Sequence, residues 1–103
     1  LHSPQLIELF AWEENYFLKQ TEGSPIRRIG HERWLRNIAV ALGNAPYSDE
    51  IVKILEDKRT GVSPLVQEHI DWALTQQREK NAMVSRKTLR LLKSVTKGMP
   101  DHS

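Results

Sequence analysis

Apolar residues recur along this chain at helical spacing, and no stretch alternates with a period of two. Leu6, Ile7, Leu9 and Phe10 form a first apolar face behind Ser3-Pro4, a capping hydroxyl followed by a proline at the first helical position. This predicts a helix over about 4–11. A short helix over about 13–20 should follow, presenting Tyr16, Phe17 and Leu18 and broken at Glu22-Gly23-Ser24-Pro25.

The most regular segment is 31–42, where Trp34, Leu35, Ile38, Ala41 and Leu42 make one stripe. Gly43-Asn44 is expected to cap that helix, with Pro46 confirming the stop. Ser48 opens the next, with Asp49 and Glu50 in its first turn, where the helix dipole favours acids, and Ile51, Val52, Ile54 and Leu55 as its core. Ser63-Pro64 opens a helix over 64–80 that turns Val66, Ile70, Ala73 and Leu74 inward. Ser85 is expected to open a last helix over 86–97, closed by Gly98 and Pro100.

The pattern predicts an all-α fold of about six helices, a HEAT-like helical repeat or α-hairpin stack in one domain spanning 1–103. A weak internal repeat supports stacking. A shift of 32 residues lays Ile38, Ala41 and Leu42 on Ile70, Ala73 and Leu74, and the small alanine in each copy allows close helix approach.

Composition narrows the function. Charged residues at 27% and hydrophobic ones at 39% suit a globular chain, and a net charge of +2 is too small for indiscriminate binding to nucleic acid. The charge is local. Residues 78–97 carry seven cations against Glu79, and residues 27–36 carry four arginines against Glu32. With no cysteine, disulfides, thiolate zinc sites and cysteine-held iron–sulfur clusters are excluded within these residues. No apolar run is long enough for a membrane span and no signal-peptide pattern opens the chain, so the expectation is a soluble, cytoplasmic protein without membrane contact. The chain opens on Leu1 and runs almost directly into a helix signal, as a piece of a longer protein would.

Candidate chemistry concentrates in Arg27, Arg28, His31, Arg33 and Arg36. Gly30 stands before the helix, so amides near its start can meet a phosphate oxygen. Arg33 and Arg36 share a face away from the apolar stripe, and Asn37 and Val40 extend that face. The planar guanidinium fork suits a phosphate because it donates two hydrogen bonds at once. The plainer reading is a solvated face whose arginines bridge to neighbouring acids, with Asn37 bonding a loop backbone. A secondary stripe, Arg86, Arg90, Lys93 and Lys97, recurs at helical spacing, with Leu91, Leu92 and Val95 on another side. It can track a nucleic-acid backbone or serve only solubility. Helical spacing assigns Trp34 and Trp72 to the core rather than to base stacking. The scattered His2, His31, His69 and His102 fit no metal-ligand spacing. No nucleophile elbow or phosphate loop is present.

At residues 23–44, GSPIRRIGHERWLRNIAVALGN, the sequence resembles the C-terminal region of the bacterial epoxyqueuosine reductase family, as do LIELFAWEENYFLKQTEGSPIRRIG before it and SPLVQEHIDWAL at 63–74. The resemblance covers about residues 5–80. It implies a longer parent enzyme that reduces epoxyqueuosine to queuosine in tRNA, using two [4Fe–4S] clusters and cobalamin. It also implies that the HEAT-like region helps bind the anticodon arm of tRNA. The absence of cysteine places both cofactors in upstream catalytic domains, so no cofactor residue carries over to this chain. The rival expectation is a HEAT-like protein-interaction or purely structural module without nucleic-acid binding.

Overall fold

The computed structural model describes residues 3–97, which form five α-helices and one 3-10 turn and no strand. The helices are α1 (Ser3–Phe10), α2 (Glu14–Gln20), α3 (Gly30–Asn44), α4 (Asp49–Arg59) and α5 (Pro64–Lys97), with the 3-10 turn Pro25–Ile29 between α2 and α3. The all-α expectation holds, but with one α-helix fewer than anticipated.

Local chemistry explains most boundaries. Ser48 Oγ accepts the Ile51 amide at 3.4 Å, and Ser63 Oγ accepts the Val66 amide at 3.3 Å, so both hydroxyls cap the helices that follow them. Asp49 and Glu50 occupy the first turn of α4, and Lys58 and Arg59 its last, the distribution the helix dipole favours.

Three expectations fail. Ser85 starts no helix, because α5 runs unbroken for 34 residues. Nothing between Pro64 and Lys97 is a glycine or a proline, and a serine inside a helix caps only where the backbone already breaks. The expected stop at Gly98 and Pro100 lies outside the described residues. Gly43 does not cap α3 either: it is buried inside the helix, where a Cβ would lie 2.6 Å from Trp72 Cζ3 and 2.9 Å from Ala73 Cα. Its missing side chain serves close approach of two helices. Trp72 is the third, being 40% exposed where a core position was expected. It follows Ile70 by two residues and so falls off the stripe of Val66, Ile70, Ala73 and Leu74.

Those four residues of α5 pack with Leu6 and Phe10 of α1, Leu35, Ile38, Ala39 and Leu42 of α3, and Ile51 and Leu55 of α4 in one core. Each large side chain removed from water there contributes about 1.5–3 kcal/mol. Ala41 lies at the core's edge and Ala39 at its centre, one step from the predicted stripe. His31, Glu32 and Leu35 near the start of α3 line a recess with Ser63 and Val66 at the start of α5, while Gly43 near the end of α3 meets Trp72 and Ala73. The two helices therefore lie side by side in the same direction, with α4 as the return between them. The 32-residue shift in sequence is this side-by-side pair.

Two polar side chains of α5 complete the joint. Gln77, fully buried, donates from Nε2 to the carbonyls of Leu42 and Ala45, both at 2.9 Å, and accepts the Ser48 amide at 3.0 Å. Lys80 Nζ donates to the carbonyls of Gly43 at 2.7 Å and Ala45 at 2.6 Å. Together they satisfy the Leu42, Gly43 and Ala45 carbonyls at the C-terminal end of α3 and place a cation against its dipole.

Candidate nucleic-acid interface

The segment from Gly23 to Arg36 carries the candidate side chains. Ser24 Oγ accepts the Ile26 amide at 3.2 Å and, with Pro25 in the first position, starts the 3-10 turn. Gly23 and Gly30 bracket that turn at φ 77° and 82°, a region that strains any residue with a side chain. The turn presents Arg27 and Arg28, both exposed, over a shallow recess of about 470 Å³ shared with Gly23, Ser24 and Pro25. It runs straight into α3, and the Gly30 amide is already donated to the Arg27 carbonyl. This amide is therefore not open to a phosphate.

His31 is half-buried. With Nε2 as the protonated nitrogen, it donates to the Trp12 carbonyl at 2.8 Å, and the ring lies 5.6 Å from that of Phe17. It ties the start of α3 to the corner between α1 and α2. Trp34 has a similar part, donating from Nε1 to the Leu9 carbonyl at 3.3 Å and stacking on Trp12 at 5.7 Å. Arg33, by contrast, is exposed. Arg36 is half-buried, and its Nε is shielded from solvent without a hydrogen-bond partner. Asn37 is exposed and bonds no loop backbone among the described residues, so the supporting role expected for it is not realised.

Among the described residues, Arg27, Arg28, Arg33 and Arg36 form no ion pair. The two pairs that do form are Lys58 with Glu13 at 3.7 Å and Arg59 with Asp71. The second is bidentate, at 2.6 and 3.1 Å. The Arg59 hydrogen bond holds the Asp71 carboxyl below the usual aspartate range, and the same bond raises Arg59. Tyr47 donates its hydroxyl to Asp49, which raises the phenol.

The second basic stripe lies elsewhere. Arg86, Arg90 and Lys93 are exposed on α5, and Arg86 and Arg90 line a recess of about 380 Å³ with Met83 and Lys87. The Lys97 side chain lies outside the described residues. Arg86 stands some 20 residues beyond Val66, about 30 Å along a helix rising 1.5 Å per residue, so the fold keeps the two basic zones apart. No group of three or more His, Cys, Asp or Glu among the described residues can hold a metal ion, and no helix there is long and apolar enough to cross a membrane.

The fold and the site define a packed all-α module with an arginine face on one side that forms no ion pair among the described residues. Comparison with known proteins makes this particular. The chain is 57% identical to the epoxyqueuosine reductase of Shewanella oneidensis over 103 residues, which is 97% of this chain and 26% of that protein. It is 57% identical to that of Escherichia coli K12 over 105 residues, 97% of this chain and 27% of the relative. The Vibrio cholerae epoxyqueuosine reductase is 48% identical over 100 residues, again 97% of this chain and 27% of the relative. The chain is thus homologous to a C-terminal portion of epoxyqueuosine reductase, and it spans about a quarter of the length of the curated relatives it matches. No family model matches, and no solved structure does.

Proposed function

We propose that this region is the tRNA-engaging accessory domain of an epoxyqueuosine reductase. Arg27, Arg28, Arg33 and Arg36 hold phosphates of the anticodon arm and orient it toward catalytic domains elsewhere in the polypeptide. The parent reaction, reduction of an epoxide to an alkene, consumes two electrons and two protons and releases water. A chain without cysteine does not fit the cysteine-held [4Fe–4S] clusters implied for the parent, and no step of that reduction is assigned here. This region contributes binding and position.

The observation that carries the proposal is the four arginines without an ion-pair partner, one with a shielded, unsatisfied Nε. A solvated face that merely balanced charge would spend them on neighbouring acids, as Arg59 is spent on Asp71. In the full-length enzyme, Arg33→Ala with Arg36→Ala should weaken tRNA binding about tenfold or more, since charge-assisted contacts contribute on the order of 1.5–3 kcal/mol each when engaged. The dependence on salt should also become shallower, because fewer counterions are released. Unchanged affinity in a mutant of unchanged melting temperature would refute the assignment. A protein-docking role is favoured by one feature only, the exposed Val84, Leu89, Leu91 and Leu92 in the far half of α5.

A further inference from the structure

Of the three tryptophans, two are committed to the fold. Trp12 and Trp34 stack on one another, and Trp34 is hydrogen-bonded to Leu9. Trp72 makes no ring contact and no side-chain hydrogen bond with any described residue, although it is 40% exposed. It is nevertheless well positioned, since its Cζ3 edge rests over Gly43, where even a methyl group would not fit. The rest of the indole faces a groove of about 330 Å³ between α3 and α5, lined by Val40, Glu68, His69 and Trp72. That volume lies near the lower end of about 300–1,000 Å³ for small-molecule sites, and suits a single planar heterocycle.

The groove adjoins the arginine face. Val40 follows Arg36 by four residues and Arg33 by seven, so all three lie on one side of α3, with Arg36 about 6 Å and Arg33 about 10 Å before Val40 along the axis. A strand whose phosphates lie over those arginines passes the mouth of the groove. Glu68 excludes a phosphate from the groove itself, because its carboxylate repels one. The same carboxylate accepts the N–H donors on a base edge. His69 donates from Nδ1 to the Leu65 carbonyl at 2.9 Å, which orients the ring and leaves Nε2 for a second polar contact.

We propose that the groove at Trp72 seats one unpaired, N–H-bearing base of the RNA loop, stacked on the indole with its donor edge toward Glu68. This rests on the reading of the arginine face as an RNA contact. The two are separable, because stacking neutralises no phosphate and leaves the salt dependence of binding unchanged.

The test uses the full-length enzyme and an anticodon-arm RNA hairpin, intact or abasic at one loop position in turn. Trp72→Ala should weaken binding of the intact hairpin roughly five- to a hundredfold at unchanged salt slope, and Trp72→Phe should restore most of it. One abasic position should cost the wild-type enzyme a similar factor and cost Trp72→Ala almost nothing further, the signature of a shared contact. This coupling is readable even if the alanine variant is less stable. Glu68→Gln should alter the preference among bases at that position alone. If Trp72→Ala binds as wild type while Arg33→Ala/Arg36→Ala has lost affinity, the base seat is wrong and the phosphate face stands. If neither variant changes binding, both are wrong. Equal losses from abasic sites in wild type and Trp72→Ala would also overturn the seat.

Discussion

The two halves of α5 are one unbroken helix in opposite circumstances. From Val66 to Gln77 its inner stripe is almost fully buried against α3 and α4. The same stripe continues at heptad spacing from Ile70 and Gln77 through Val84 to Leu91, yet Val84 is 56% exposed and Leu91 67%. The change comes where α3 ends, at Asn44, and not where the side chains cease to be apolar. Periodicity therefore shows which face of a helix seeks a partner, but the partner's length decides how much of that face is covered.

The largest test of this contrast is Ile70→Ala against Leu91→Ala. The first should destabilise the chain by about 2–5 kcal/mol in chemical denaturation, because it opens a cavity in a closed core. The second should stay within about 0.5 kcal/mol. A comparable loss at Leu91 would mean that the far half is covered in solution. Next comes Gln77→Ala, which leaves the Leu42 carbonyl and the Ser48 amide without their partner while Lys80 still reaches Ala45. We expect a loss of about 1–3 kcal/mol, with an earlier melting temperature.

Gly43→Ala sharpens the point at smaller amplitude. Alanine favours a helix by about 1 kcal/mol over glycine, but forcing a methyl onto the Ala73 backbone costs about 1–3 kcal/mol. The net change should be destabilising by about 1 kcal/mol, whereas the same type of change at an exposed helical site would stabilise.

The smallest effect belongs to the surface pair on the packed half. The Asp71 carboxyl titrates below its ordinary value in the folded chain, so its contribution is complete above the unfolded aspartate range and disappears as pH falls through the folded value. Asp71→Asn should therefore cost a small amount of stability at neutrality, a loss that fades as pH falls below about 4, so the acid limb of the variant is slightly flatter. Equal acid sensitivity in wild type and mutant would show that the pair is inert.

Much of this architecture was legible from local chemistry. Ser48 and Ser63 cap where a hydroxyl before an acidic or proline-led turn says they should, and Val66, Ile70, Ala73 and Leu74 are buried as their spacing requires. Features that depend on distant partners were not legible. Gly43 reads as a helix stop until Trp72 and Ala73 lie against it. Gln77 and Lys80 look like ordinary surface residues until they reach carbonyls some 35 residues earlier. At the candidate site, the clustering of Arg27, Arg28, Arg33 and Arg36 was visible as charge density, but their lack of an acidic partner depends on where Glu13, Asp71 and the other carboxylates come to rest. Trp72 was missed as a surface residue because an aromatic within a helical apolar segment looks like core unless it is phased strictly against its neighbours.

The hydrogen bonds from Gln77 and Lys80 to the end of α3 make the two helices a single unit of opening. Fraying of the middle of α5 withdraws both side chains at once and exposes the last carbonyls of α3, so neither segment can loosen alone. In native-state hydrogen exchange, amides near Leu42 and those around Gln77 should share one opening free energy, while amides beyond Val84 exchange independently and much sooner.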